Sequence, residues 1–238
     1  MSDRDNSLNH DLDPASAGTN RDSLRPDLAG VPFIGSGVGV GAKDDDEDDE
    51  KAWKKLGMAE RLLESRTLTL FGPVNQAMSN RLIAALFFLE ADDNKKPITL
   101  VQNSPGGSVS DGFAIYDAMR FVKPAVRVIC VGLTASIATI TLLGAAKPDR
   151  FSLPTTRFLI HQPLIPGHIF GPASDLEITA QEILKSRDRI NVMLAEATGQ
   201  PLERVARDTH RDYWMDAVEA VEYGLISRIV ATRSELED

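Results

Sequence analysis

The chain has 238 residues, 42% of them hydrophobic, enough to bury one substantial core, and a formal net charge of −9. Residues 1–50 hold 13 of the 35 acidic and 4 of the 26 basic side chains, so residues 51–238 carry 22 of each sign and are neutral as a whole. That balance argues against a nucleic-acid partner and against any strong pull toward an anionic membrane, and no apolar run is long enough to span a bilayer.

The start, MSDRDNSLNHDLDPAS, lacks the apolar stretch of a secretory signal, and the single cysteine, Cys130, allows no intrachain disulfide. A cytoplasmic location is the expectation. Residues 1–50, rich in Ser, Asn, Asp and Gly and closing on the acidic run Asp44 to Glu50, predict a disordered acidic tail. GSGVGVG within it is no phosphate loop, because no strand precedes it and no Lys-Ser/Thr pair follows.

Residues 51–65 (KAWKKLGMAERLLES) predict an amphipathic helix with Trp53, Leu56, Leu62 and Leu63 as its apolar contacts, weakened by Gly57. From there the pattern alternates. Thr67 to Phe71 reads as a strand, Asn80 to Leu89 as an apolar helix, Pro97 to Gln102 as a strand, and Val109 to Phe121 as a helix. Val126 to Val131 is a β-branched strand breaking at Gly132, and the apolar run after it predicts a helix from about Ser136 toward Ala146. Two short β segments (Arg150 to Leu153, Thr156 to Ile160) precede His161-Gln162-Pro163. The arm Leu164 to Ala173, with two Gly and two Pro, leads into a long helix from Ser174 or Asp175 to Ala197, stopped by Gly199. Helices over Pro201 to Thr209 and Asp216 to Tyr223 and a strand over Leu225 to Ala231 complete the chain. This order predicts an α/β domain with parallel strands and helical crossovers.

The residues with chemistry lie at strand ends and turns. Ser136, at a helix N-terminus, sits where unpaired N–H groups favour developing negative charge, which suits a nucleophile and equally suits a plain helix cap. The glycine pair in NSPGGSV lets main-chain N–H groups approach a reacting carbonyl, although Ser-Pro-Gly-Gly also makes an ordinary turn. His161 follows a strand and Asp212 lies in the polar stretch RDTHRDYWM; each alone is unexceptional. Together they supply nucleophile, base and orienting carboxylate in the order Ser, His, Asp. Cys130 reads as a small core residue.

Over about residues 58–232 the sequence resembles ClpP, the proteolytic subunit of the ATP-dependent Clp protease. The motifs are NSPGGSV, GFAIYDAMRFVKP, GLTASIAT, FLIHQPL, DLEITAQEIL, TGQPLERVARDTHRD and AVEAVEYGLI, in that order. The resemblance implies a ClpP/crotonase-like α/β fold of repeated β-β-α units with a projecting handle over about residues 164–197, within a peptidase domain over 66–238. It implies Ser136 as nucleophile, His161 as base and Asp212 as orienting acid, with the backbone N–H groups of Gly107 and Ile137 as oxyanion hole. It also implies two stacked heptameric rings enclosing a chamber. Unfolded substrates would be fed by an AAA+ unfoldase of the ClpX, ClpA or ClpC kind, which consumes the ATP; the chain itself would bind no cofactor. Arg211 stands at the family's position for linking ring contact to triad geometry.

Three stretches depart from the family. Ile137 replaces a Met, keeping the donor N–H while its β-branched side chain is expected to narrow the adjoining pocket. The arm after His161 is longer, and the family's N-terminal pore-loop motif is not recognisable, so residues 1–50 are candidates for guarding the pore or meeting another partner. A catalytically silent or partner-dependent subunit of a mixed ring, with a second ClpP-like chain, is the alternative, and a crotonase-type acyl-CoA enzyme a third reading.

Overall fold

The computed structural model describes residues 57–164 and 170–236. The expected acidic tail, the first part of the helix expected over 51–65, and residues 165–169 of the arm lie outside the described residues. In chain order the elements are α1 (Met58–Glu64), β1 (Thr67–Phe71), α2 (Gln76–Asp92), β2 (Ile98–Ser104), α3 (Val109–Phe121), β3 (Val126–Ala135) and α4 (Ile137–Leu142). Then follow β4 (Arg150–Ser152), β5 (Arg157–Ile160), α5 (Ala173–Thr198), α6 (Leu202–Asp208), β6 (Tyr213–Met215), α7 (Ala217–Tyr223) and β7 (Arg228–Ile229).

Seven strands form one sheet in the order β1-β2-β3-β4-β7, all parallel, while β5 joins the second half of β3 and β6 pairs with β5 antiparallel. Helical crossovers between β1, β2 and β3 enforce the parallel order. The core lies between this sheet and its helices, with Leu70, Leu86, Leu89, Ile98, Ile115, Ile140 and Leu142 almost wholly excluded from solvent. Each such side chain contributes about 1.5–3 kcal/mol of burial.

Several boundaries differ from the sequence expectation, each for a local reason. Helix α2 begins at Gln76 rather than Asn80, because the Asn75 side chain accepts a hydrogen bond from the Met78 N–H (2.9 Å) and caps it. Helix α4 stops at Leu142, short of Ala146, ahead of Gly144 and a turn containing Pro148. Strand β3 does not end at Gly132 but runs on to Ala135. The last strand contracts to Arg228–Ile229, since Leu225 and Ile226 fold into the core directly after Gly224.

Helix α5 ends at the left-handed Gly199, as a helix stop of this kind requires. Only its last third is docked: its buried residues are Ile190, Asn191, Leu194 and Thr198. Where it docks, the buried Arg150 donates to Ala145 O (2.9 Å), Ala197 O (3.2 Å) and Leu143 O (3.4 Å), tying the end of α4 to the last turn of α5. Burial pulls this guanidinium down to about 10, so it keeps its charge at neutral pH and complements both helix C-termini.

Candidate active site

The site is built where β3 bends. Its first half pairs with β4 through Cys130, and its second half pairs with β5 from Leu133 to Ala135. Between the halves the register with β2 slips, from Gln102 opposite Cys130 to Ser104 opposite Thr134. Gly132 takes φ 63° in this bulge, and the Asn103 side chain fills the gap by accepting from the Leu133 N–H (3.1 Å). The bend delivers Ser136 to the junction of strand and helix.

Ser136 has φ 58° and ψ −129°, one of two non-glycine residues with positive φ among the described residues. Such a backbone costs of order 1–3 kcal/mol and persists only where its surroundings enforce it. Here the Ser136 N–H donates to Leu159 O (2.8 Å), and the Ser136 carbonyl accepts from the Thr139 N–H (2.9 Å) and hydroxyl (2.6 Å). The side chain makes no capping bond to α4. Instead its Oγ lies 2.7 Å from His161 Nε2, and His161 Nδ1 lies 3.1 Å from Asp212 Oδ1.

His161 follows β5 directly, and Asp212 immediately precedes β6. The antiparallel register sets Ile160 opposite Tyr213, so one step further along each strand brings His161 and Asp212 together. Gln162 locks the same approach: its N–H donates to Thr209 O (2.6 Å) and its side-chain amide to His210 O (2.7 Å). His161 is nearly buried, its side chain 14% exposed, whereas that of Asp212 is 62% exposed. The carboxylate is thus anchored by strand pairing rather than by a closed pocket. With Nδ1–H donated to Asp212, the Nε2 lone pair faces the Ser136 hydroxyl, the tautomer a base requires. Arg211 is exposed.

The glycine turn closes the other side. Val74 bridges to Gly107, donating its N–H to Gly106 O (2.8 Å) while its carbonyl accepts from the Ser108 N–H (2.9 Å). This pairing uses the neighbours of Gly107 and turns the Gly107 N–H to the opposite side. A side chain at Gly106 would place its Cβ 2.6 Å from Ser136 Cβ, and one at Gly107 would collide with the Val74 carbonyl. Both glycines have positive φ, 94° and 150°. The Ile137 N–H, first in α4, has no carbonyl one turn back within the helix. The turn therefore lies against Ser136 with two main-chain donors belonging to segments that meet there.

A family model described as Clp protease matches residues 49–233. The chain belongs to the Clp protease family. Membership makes it a ClpP-type peptidase, and the mixed α/β structure with a mostly parallel sheet agrees with the ClpP/crotonase-like fold. Among the described residues no helix is long and apolar enough to cross a membrane, and no three His, Cys, Asp or Glu side chains converge as metal ligands. Cys130, six positions before Ser136, is fully buried and its thiol is pushed up to about 12 by desolvation, so it is no competing nucleophile. Sequence reasoning missed Gln162 as the clamp between the His161 and Asp212 segments, because its partners are carbonyls 47 and 48 positions away that no local pattern announces.

Proposed function

We propose that this Clp-family chain is a serine endopeptidase in which Ser136 is the nucleophile, His161 the general base and Asp212 its orienting acid. The observation that carries the reading is the unbroken relay from Ser136 Oγ to His161 Nε2 (2.7 Å) and from His161 Nδ1 to Asp212 (3.1 Å). His161 takes the hydroxyl proton as Ser136 Oγ attacks a peptide carbonyl, then returns it to the departing amine; water repeats the sequence to release the acyl group. The N–H groups of Gly107 and Ile137 stabilise the tetrahedral oxyanion, a contribution of about 3–4 kcal/mol per donor in comparable sites. Asp212 keeps the imidazole in its working tautomer. The chain itself needs no cofactor for this chemistry.

The proposal extends to assembly. The undocked two-thirds of α5 exposes Leu176, Ile178 and Leu184, apolar side chains suited to contact with other copies in stacked heptameric rings. A second apolar patch, Phe87, Phe88 and Phe121, lies on α2 and α3, with Phe87 and Phe121 in edge-to-face contact at 5.9 Å. It supports docking of a protein partner, here an AAA+ unfoldase that spends ATP to deliver unfolded chains. Turnover of a short fluorogenic peptide by the purified chain, with particle size recorded in parallel, tests the reading. Cleavage is expected, and Ser136→Ala is expected to abolish both cleavage and labelling by a fluorophosphonate. A correctly assembled particle that neither cleaves nor is labelled would overturn it in favour of a silent subunit of a mixed ring.

A further inference from the structure

We propose that Gln102 is a positioning residue for the reaction: from the interior of β2 it fixes the placement of α4, and with it the Ile137 N–H that stabilises the oxyanion. This inference rests on the serine peptidase reading above and adds a residue that acts only through α4. Strand β2 buries alternate side chains, so the pleat that turns Ile98 and Leu100 into the core turns Gln102 there as well, at 0% exposure. An amide in that position has lost its water and needs partners within the protein. It finds them on α4 and at the end of β3. Gln102 Nε2 donates to the Ala138 carbonyl (2.9 Å) and to the Thr134 hydroxyl oxygen (3.4 Å), while Oε1 accepts from the Thr141 hydroxyl (2.6 Å). The Ala138 carbonyl can only accept, which fixes the orientation of the amide. Thr134, Ala138 and Thr141 are sealed from solvent like Gln102 itself.

An apolar side chain of similar size fills a core without the cost of desolvating an amide. What the amide adds is geometry, because a satisfied buried network specifies one arrangement of the segments it joins. Helix α4 needs such a hold. Its six residues are all buried, yet they make fewer than two turns, too few to hold a helix by its own ladder. Arg150 grips the carbonyls of Leu143 and Ala145 just beyond its far end, and Gln102 ties its first turn to the sheet. Ala138 directly follows Ile137, so a shift of the Ala138 carbonyl passes through rigid peptide planes to the Ile137 N–H and to Ser136. The same turn is closed by the Thr139 hydroxyl, which donates to Ser136 O (2.6 Å). Oxyanion donors act only from a fixed place, and a misplacement of about 1 Å costs about 10²-fold in rate.

The test uses Gln102→Leu in the full chain, which keeps the bulk and removes the amide. The Thr141 hydroxyl already lies 2.8 Å from the Ala138 carbonyl, so in this variant those two groups pair with each other and only the tie to the sheet is lost. On a short fluorogenic peptide, kcat per fluorophosphonate-titrated site is expected to fall about 10–100-fold with KM little changed. Affinity for a peptidyl boronate, whose adduct with Ser136 sets an oxygen where the oxyanion forms, is expected to weaken by the factor by which kcat/KM falls. The double variant Gln102→Leu, Thr141→Val makes the network apolar, a change nearly neutral for stability, and is expected to remain slow. Recovery of kcat in the double variant would show that packing alone suffices and overturn the inference, as would an unaltered kcat in folded Gln102→Leu; both leave the peptidase reading standing. If Gln102→Leu fails to fold, the double variant is compared with the unaltered chain in its place, and failure of both makes Gln102 a residue of the core alone, which also overturns it. Labelling of the unaltered chain without turnover moves the comparison to phosphonylation rates, which depend on the same donors. Absence of both turnover and labelling in the unaltered chain would overturn the peptidase reading and this inference with it.

Discussion

Ser136 holds a backbone angle that glycine adopts readily, and the strain has a purpose: a relaxed serine at a helix start turns its hydroxyl to the backbone as a cap, whereas here the hydroxyl faces His161. Asp212 is the least enclosed member of the set. In a buried triad, exchanging the acid for its amide lowers kcat about 10⁴-fold. The Asp212 side chain is 62% exposed, so solvent is expected to take over part of its work on Nδ1 in such a variant. Asp212→Asn is therefore expected to lower kcat by less, on the order of 10²–10³-fold, with KM little changed, as steady-state peptide kinetics will read. Cys130 makes a different prediction. Burial raises its native thiol from the ordinary 9.0 to about 12. Between these values the unfolded chain has lost the proton and the native chain has kept it, so stability is complete below pH 9 and falls as pH rises toward 12. The slope from this group is about 1.4 kcal/mol per pH unit, and denaturant titrations of the native chain and Cys130→Ala should differ by that slope across the window.

At the level of elements, the alternation of strands and helices was legible because each crossover helix pairs an apolar stripe with a β-branched strand, and Gly199 announced the end of α5. The strand-to-helix turn that carries Ser136 was legible for the same reason. What stayed hidden were features decided by partners distant in sequence. Strand β6 is three residues within a polar stretch, and it exists because Tyr213, Trp214 and Met215 pair with β5. No local period marks it, yet it aligns Asp212 with His161. The continuation of β3 through Gly132 likewise depends on Asn103 of the neighbouring strand. Arg150 shows how such long-range ties carry stability. Its guanidinium is 4% exposed and supplies three carbonyls at the ends of α4 and α5. Arg150→Met keeps the bulk and removes every donor, leaving buried acceptors unpaired at about 1–3 kcal/mol each. A loss of roughly 3–5 kcal/mol is expected in urea unfolding. Because the tie lies behind α4, peptidase activity should also fail at a lower temperature than in the unaltered chain.

At the scale of the whole molecule, the proposed assembly turns on α5. At 3.6 residues per turn, Leu176 and Leu184 fall on one side of the helix, while Ile178 falls on another. An amphipathic helix resting on its own domain shows one apolar stripe; two exposed apolar sides fit a helix gripped between neighbours, as ring-on-ring stacking requires. Residues 51–238 are neutral overall, so that part of the chain adds no net repulsion between copies, and the net −9 sits in residues 1–50. Ile178 is 60% exposed and lies in the part of α5 that buries no residue. Ile178→Asp should therefore leave the circular dichroism spectrum and melting of the isolated domain intact while placing a charge in the contact, which is costly where it cannot be paired. Mass photometry is expected to show the double-ring particle giving way to single rings or smaller species. Protein degradation should be lost with it, because open rings enclose no chamber. An unchanged particle would mean that α5 is not the contact, and the apolar patch at Phe87, Phe88 and Phe121 would be the next surface to mutate.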